Sequence, residues 1–144
     1  MSKEFKNFID WKIYIRGPQL ELVNLQDNYW VNFQENQNVT KQVLTVVELN
    51  NVLKEKNIRF LLFMAPGKIR NGDNRISGIL DFSNQNADDF LSTLKDNNVD
   101  YIDYRDFIDE SSDSSYRDMF YKTDHHWKPI TGMHAVNKVG EHLN

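Results

Sequence analysis

The 144-residue chain contains no cysteine. That excludes disulfides and thiolate metal sites, while leaving the cellular compartment open, because exported domains without cysteine are common. Long apolar runs are absent too. The longest, Phe60-Leu61-Leu62-Phe63-Met64-Ala65, is far short of the roughly 20 residues that span a bilayer. The amino terminus, Met1-Ser2-Lys3-Glu4-Phe5, leads into a mixed polar stretch instead of an apolar signal-peptide core. No block of like charge stands out and the net charge is −4, which argues against a nucleic-acid partner. What remains is the composition of a soluble globular chain: 40% hydrophobic, 12% aromatic and 26% charged. The length fits one domain with a real core.

Organisation follows from periodicity. Ile9, Trp11, Ile13 and Ile15 alternate with polar or amphipathic neighbours until Gly17-Pro18 breaks the run. A second strand is expected through Leu20, Leu22, Val23 and Leu25. Asp27-Asn28 is a turn signal before Tyr29-Trp30-Val31-Asn32-Phe33. Residues 1–36 therefore read as a small β meander. Its aromatics Trp11, Tyr14, Tyr29, Trp30 and Phe33 fit the core of that meander better than a sugar-stacking platform.

Residues 38–56 read as a helix with Val39, Val43, Val46, Val47 and Leu53 on one face and Asn57 as its stop. So many valines lower intrinsic helicity, so packing must stabilise it. Residues 58–64 read as a strand covered on both faces, as in a parallel sheet. A long loop follows over residues 69–85. Asn86 is expected to cap the next helix, with Asp88 and Asp89 in its first turn, Phe90, Leu91 and Leu94 as its buried stripe and Asn97-Asn98 as its end. Residues 99–104 read as another strand, residues 109–115 as an exposed polar stretch, and residues 129–143 as a helix with Pro129 in its first turn. Strands alternating with helices indicate an α/β layer sandwich with a parallel sheet. With only two convincing parallel strands before a final helix, residues 37–144 read as the N-terminal portion of a larger α/β domain, incomplete at its C-terminus. An exposed sheet edge and self-association are the expected consequences.

The most informative stretch is Asp124-His125-His126-Trp127, preceded by Tyr121-Lys122-Thr123. In an extended segment, side chains two residues apart point the same way, so Asp124 and His126 would share a face with His125 directed elsewhere. A carboxylate bonded to one imidazole nitrogen fixes the tautomer and leaves the other nitrogen as a base. On spacing alone the string fits a turn-capping Asp beside ordinary polar histidines better than a catalytic pair.

Phe120-Tyr121-Lys122-Thr123-Asp124-His125-His126-Trp127, followed by Pro129 and Gly132, resembles the signature of the DHHW family. That family is similar to the alginate O-acetyltransferase-like branch of the SGNH hydrolases. The strand ending in Ala65-Pro66-Gly67-Lys68 resembles a second element of that family. The resemblance covers roughly residues 20–144. It implies an SGNH/flavodoxin-like three-layer sandwich with Asp124 as triad acid and His126 as base. The implied reaction is transfer or removal of an acyl group on a hydroxyl of a surface or secreted polysaccharide, outside the cytoplasm or at the cell envelope. Trp127, Tyr121 and Lys68 are the expected substrate-binding side chains, with no metal and no cofactor.

Departures matter as much as matches. The family's serine sits in a Gly-Asp-Ser turn, which this sequence lacks: Gly72-Asp73 is followed by Asn74. Ser77, Ser83, Ser92 and the serines among residues 111–115 lack a strand-to-helix elbow. The chain by itself is expected not to complete a serine triad, and the alternative is a non-catalytic saccharide-binding or assembly module of the same fold. Lys68 follows a buried strand, where ligands bind in open α/β sheets, but a solvated loop lysine is the favoured reading. A metal site is not expected. His126, His134 and His142 recur every eight residues, which in a helix separates neighbours by about 12 Å, and the adjacent His125 and His126 are expected to point apart.

Overall fold

Two asparagines set the layout of the α/β part. Asn57 and Asn98 both adopt left-handed backbone, with φ of 58° and 52°, a conformation Asn tolerates better than most residues. Each sits just past a helix. The Ile58 N–H reaches Leu53 O and the Asn57 N–H reaches Lys54 O; the same pair of bonds links Val99 to Leu94 and Asn98 to Lys95. These are Schellman closures, which cap the last carbonyls and turn the chain back. In both places the chain then enters a strand. The computed structural model describes residues 22–25, 28–73, 81–105 and 113–143. The strand read over residues 9–15, with Trp11 and Tyr14, lies outside them.

The elements in order are β1 (Leu22–Leu25), β2 (Tyr29–Asn32), α1 (Thr40–Glu55), β3 (Leu62–Met64), α2 (Ser83–Asp96), β4 (Tyr101–Asp103), α3 (Asp113–Asp118) and α4 (Pro129–Leu143). Strands β1 and β2 pair antiparallel, Leu22 opposite Asn32 and Leu25 opposite Tyr29, around the left-handed Asn28. Strands β3 and β4 pair in parallel, Leu62 opposite Tyr101 and Met64 opposite Asp103. The expected parallel sheet is therefore present, with strands shorter than their apolar runs.

Alternation along β3 separates the layers. Leu62 and Met64 pack, with Phe60 and Tyr101, against Val43 and Val47 of α1 and Leu91 and Leu94 of α2. Phe63, on the opposite face, packs with Tyr104, Trp127 and Ala135 of α4. Helices thus cover both faces of the sheet, as the three-layer expectation requires. Burying a Val or Leu side chain contributes about 1.5–3 kcal/mol, and the fully buried Val43 and Leu94 explain how a valine-rich α1 is held. Tyr29 and Val31 of β2 lie in the same cluster as Tyr104, Phe120 and Ala135, so the described hairpin shares its core with the α/β unit.

Two local expectations need correction. Asn86 does not cap α2, which begins three residues earlier at Ser83 and has no acidic residue in its first turn. The buried Asn86 amide instead bridges the Gln37 N–H and the Glu35 carbonyl, so a tertiary clamp outweighs its capping preference. The stretch read as exposed and polar runs into α3, whose Tyr116 is buried. The Tyr116 hydroxyl donates to Gly67 O. A single aromatic ring in a polar segment was too weak a periodic signal to reveal that helix.

Candidate active site

The Asp-His-His-Trp segment is a loop clamped at its base. Phe120 and Trp127 form a bridge across it. The Tyr121 N–H donates to His126 O at 3.1 Å, and the Lys128 N–H to Met119 O at 2.8 Å. Trp127 then lies against Phe63 and Tyr104, with ring centroids 6.2 and 5.7 Å away. Phe63 is the central residue of β3 and Tyr104 directly follows the carboxyl end of β4, so the loop sits near where open α/β sheets bind ligands. Thr131, buried in the first turn of α4, donates its hydroxyl to Met119 O at 2.9 Å. Pro129 is the first residue of that helix, where its missing N–H costs nothing.

Within the loop, Asp124 Oδ1 accepts the His126 backbone N–H at 2.9 Å and lies 2.5 Å from His126 Nδ1. The backbone bond from His126 holds the Asp124 carboxyl below its ordinary pKa, and the His126 side chain and the nearby His125 act in the same direction. An ionised carboxylate only accepts, so this contact calls for the hydrogen on His126 Nδ1, which in a neutral ring leaves the lone pair on Nε2. Asp124 and His126, singled out by spacing, are brought together, with Asp124 Oδ1 against His126 Nδ1.

The route to that pair differs from the expected one. The segment is a bend closed by the Asp124 side chain on the backbone two residues ahead, which is an Asx turn, and not an extended strand. The period-2 argument consequently fails for His125. Its ring lies over that of His126, centroids 4.1 Å apart at 33°, and its Nδ1 is 3.4 Å from the same Asp124 oxygen. The two histidines do not point apart. One ligand atom from each of Asp124, His125 and His126 falls within 4.8 Å of the others.

The remaining site candidates separate by depth. Tyr121 is exposed at the rim, and Trp127 is half-buried in the core beneath the loop. Lys68 is only 7% exposed, so it is not a solvated loop lysine. Its Nζ donates to Trp30 O at 2.9 Å and Lys122 O at 3.1 Å and lies 4.4 Å from the centre of the Tyr29 ring. Lys122 O also accepts the Trp30 N–H at 2.8 Å. Lys68 therefore ties β2 to the start of the motif loop from below. Sequence reasoning identified its place at the end of a strand but had no signal for which carbonyls it would meet. Among the serines with described side chains, Ser83 Oγ donates to Asp81 and Ser92 Oγ to Asp89 O.

No curated protein matches the chain significantly. Two solved structures of Bacillus cereus PatB1 are similar in fold. One has a TM-score of 0.72 at 21% identity, covering 84% of this chain and 42% of that one. The other, with a sulfonyl adduct, has a TM-score of 0.69 at 22% identity, covering 83% and 43%. The chain thus spans under half the length of these relatives. Residues 25–144, most of the sequence, match the SGNH hydrolase-like domain of the acetyltransferase AlgX, and the chain belongs to that family.

Proposed function

We propose that this chain supplies the acid–base pair of an O-acyltransferase or esterase acting on hydroxyls of a polysaccharide outside the cytoplasm or at the cell envelope. The observation that carries the reading is the 2.5 Å approach of Asp124 Oδ1 to His126 Nδ1, in a loop over the carboxyl ends of β3 and β4. In the reaction, His126 Nε2 takes the proton of an attacking hydroxyl as its oxygen bonds to the acyl carbonyl carbon. The same proton then passes to the departing oxygen as the tetrahedral intermediate collapses. Asp124 keeps the imidazole in the required tautomer and stabilises the imidazolium. Tyr121 and Trp127 frame the approach, and Lys68 positions the loop. The Asp124-to-Trp127 string supports a resemblance to the DHHW family.

The nucleophile is read as coming from outside the described residues, in a Gly-Asp-Ser-type turn encoded further along the reading frame. The sulfonyl adduct of the PatB1 relative fits this chemistry, since sulfonylation is attack by an activated nucleophile on electrophilic sulfur. Extending the reading frame tests the assignment: a Gly-Asp-Ser turn downstream supports it. A stop directly after Asn144, with no partner chain supplying serine, removes the catalytic claim.

The second reading is a saccharide-binding module without turnover. It is favoured by the exposure of the pair, with the His126 side chain 66% accessible. Hydrolysis of p-nitrophenyl acetate distinguishes the two in the longest form of the protein. A rate above that of His126→Ala supports acyl transfer, and equal rates support the binding module.

A further inference from the structure

His125 has no part in the proton transfer just described, yet it is not directed away from it. Its ring is stacked on that of His126, and both Nδ1 atoms face the same Asp124 oxygen, at 3.4 and 2.5 Å. The three donors are two imidazole nitrogens and a carboxylate oxygen, a set that suits zinc or copper and not magnesium or calcium. All three side chains are exposed, His125 the most at 78%, so an ion reaches them without rearrangement of the core. We propose that Asp124, His125 and His126 form a three-ligand site for a divalent transition ion such as Zn2+, and that filling it switches off His126 as a base.

The spacing supports ligation. A tetrahedral zinc with bonds of about 2.0–2.2 Å holds neighbouring ligand atoms about 3.3 Å apart. The His125–Asp124 separation of 3.4 Å already matches. The His126–Asp124 contact is 2.5 Å, so it has to open by less than about 1 Å for an ion to sit between the two atoms. The bond from the His126 backbone to Asp124 keeps the carboxylate beside the rings while this happens. Three protein ligands leave the fourth position to water, on the solvent side.

The functional consequence follows from the tautomer. A neutral imidazole has one hydrogen for its two nitrogens. In the free pair the hydrogen is on Nδ1 and the lone pair on Nε2. With the ion on Nδ1, the hydrogen moves to Nε2, and the lone pair that would accept a hydroxyl proton is gone. His125 thereby converts an acid–base pair into a pair sensitive to transition metal. This consequence rests on the acyl-transfer reading; the binding does not.

Calorimetric titration of the chain with ZnCl2, paralleled by the visible absorption of Co2+, tests the site. One ion per chain is expected, with His125→Ala and Asp124→Asn each weakening binding by at least about tenfold, the scale on which even supporting contacts affect metal sites. His134→Ala, an exposed substitution on α4, is expected to bind as the parent does. Failure of the parent to bind saturably, or unchanged binding by His125→Ala, overturns the proposal. Because the readout is binding, absent ester turnover in the longest, metal-free form of the protein counts against the acyl-transfer reading and the switch that rests on it, and leaves the metal site standing; turnover without saturable zinc binding counts only against this proposal.

Discussion

Lys68 carries a charge into a place with almost no water, and its neighbours explain why that is stable. Two carbonyls and a tyrosine ring replace the hydration of the ammonium, and charge-assisted hydrogen bonds are the stronger kind. Lys68→Met keeps the length of the stem but leaves both carbonyls without this donor. A loss of about 3 kcal/mol is expected from hydrogen bonds to a charged group, read as a lower midpoint in urea, together with faster amide exchange in the motif loop. An unchanged midpoint would show that the ammonium is not holding the loop. On the acyl-transfer reading, Asp124→Asn acts on chemistry more than on stability, because the exposed carboxylate would set the His126 tautomer. In a form of the protein that carries the nucleophile, turnover is expected to fall by about 10⁴-fold, as when a triad acid becomes an amide. Of these contacts, the nearness of Asp124 to His126 was legible from spacing. The role of His125 was not, because a turn and an extended strand give opposite directions to consecutive side chains.

At the scale of elements, the helices stop where the sequence says they stop and start where packing lets them. Asn57 and Asn98 terminate α1 and α2 through local backbone geometry, and local geometry is readable from residue type. The start of α2 was misplaced because Asn86 is used to clamp the connection before α1, a contact between residues about 50 apart in the chain. Helix α4 depends on a similar long-range anchor. Thr131 is 1% exposed and bonded to Met119 O, so it links the helix to the base of the motif loop. Thr131→Val preserves shape while removing the donor and is expected to cost about 1 kcal/mol. Thermal melting checks this, and a variant as stable as the parent would mean that the Lys128 N–H on the same carbonyl suffices.

Across the whole molecule, α4 is apolar on two sides. Thr131 and Ala135 face the core, while Ile130, Met133 and Val136 are exposed. The exposed set does not hold the described fold together. The double substitution Met133→Glu and Val136→Glu, at positions 63% and 71% exposed, is therefore expected to change unfolding free energy by no more than about 0.5 kcal/mol per site. A larger loss in denaturant titration would mean that this face is covered in solution. The sequence by itself determined the alternation of strand and helix, the parallel sheet, the helix ends and the nearness of Asp124 to His126. Each of these is written in periodicities, residue conformational preferences or spacings within a few positions. Only the tertiary structure decided that Lys68 lies beneath the site, that Tyr29 and Val31 join the α/β core, that α3 exists around Tyr116, and that His125 stacks on His126. The physical reason is that these depend on which distant backbone carbonyls and apolar faces meet when the layers close, and on a bend whose direction local pattern does not encode.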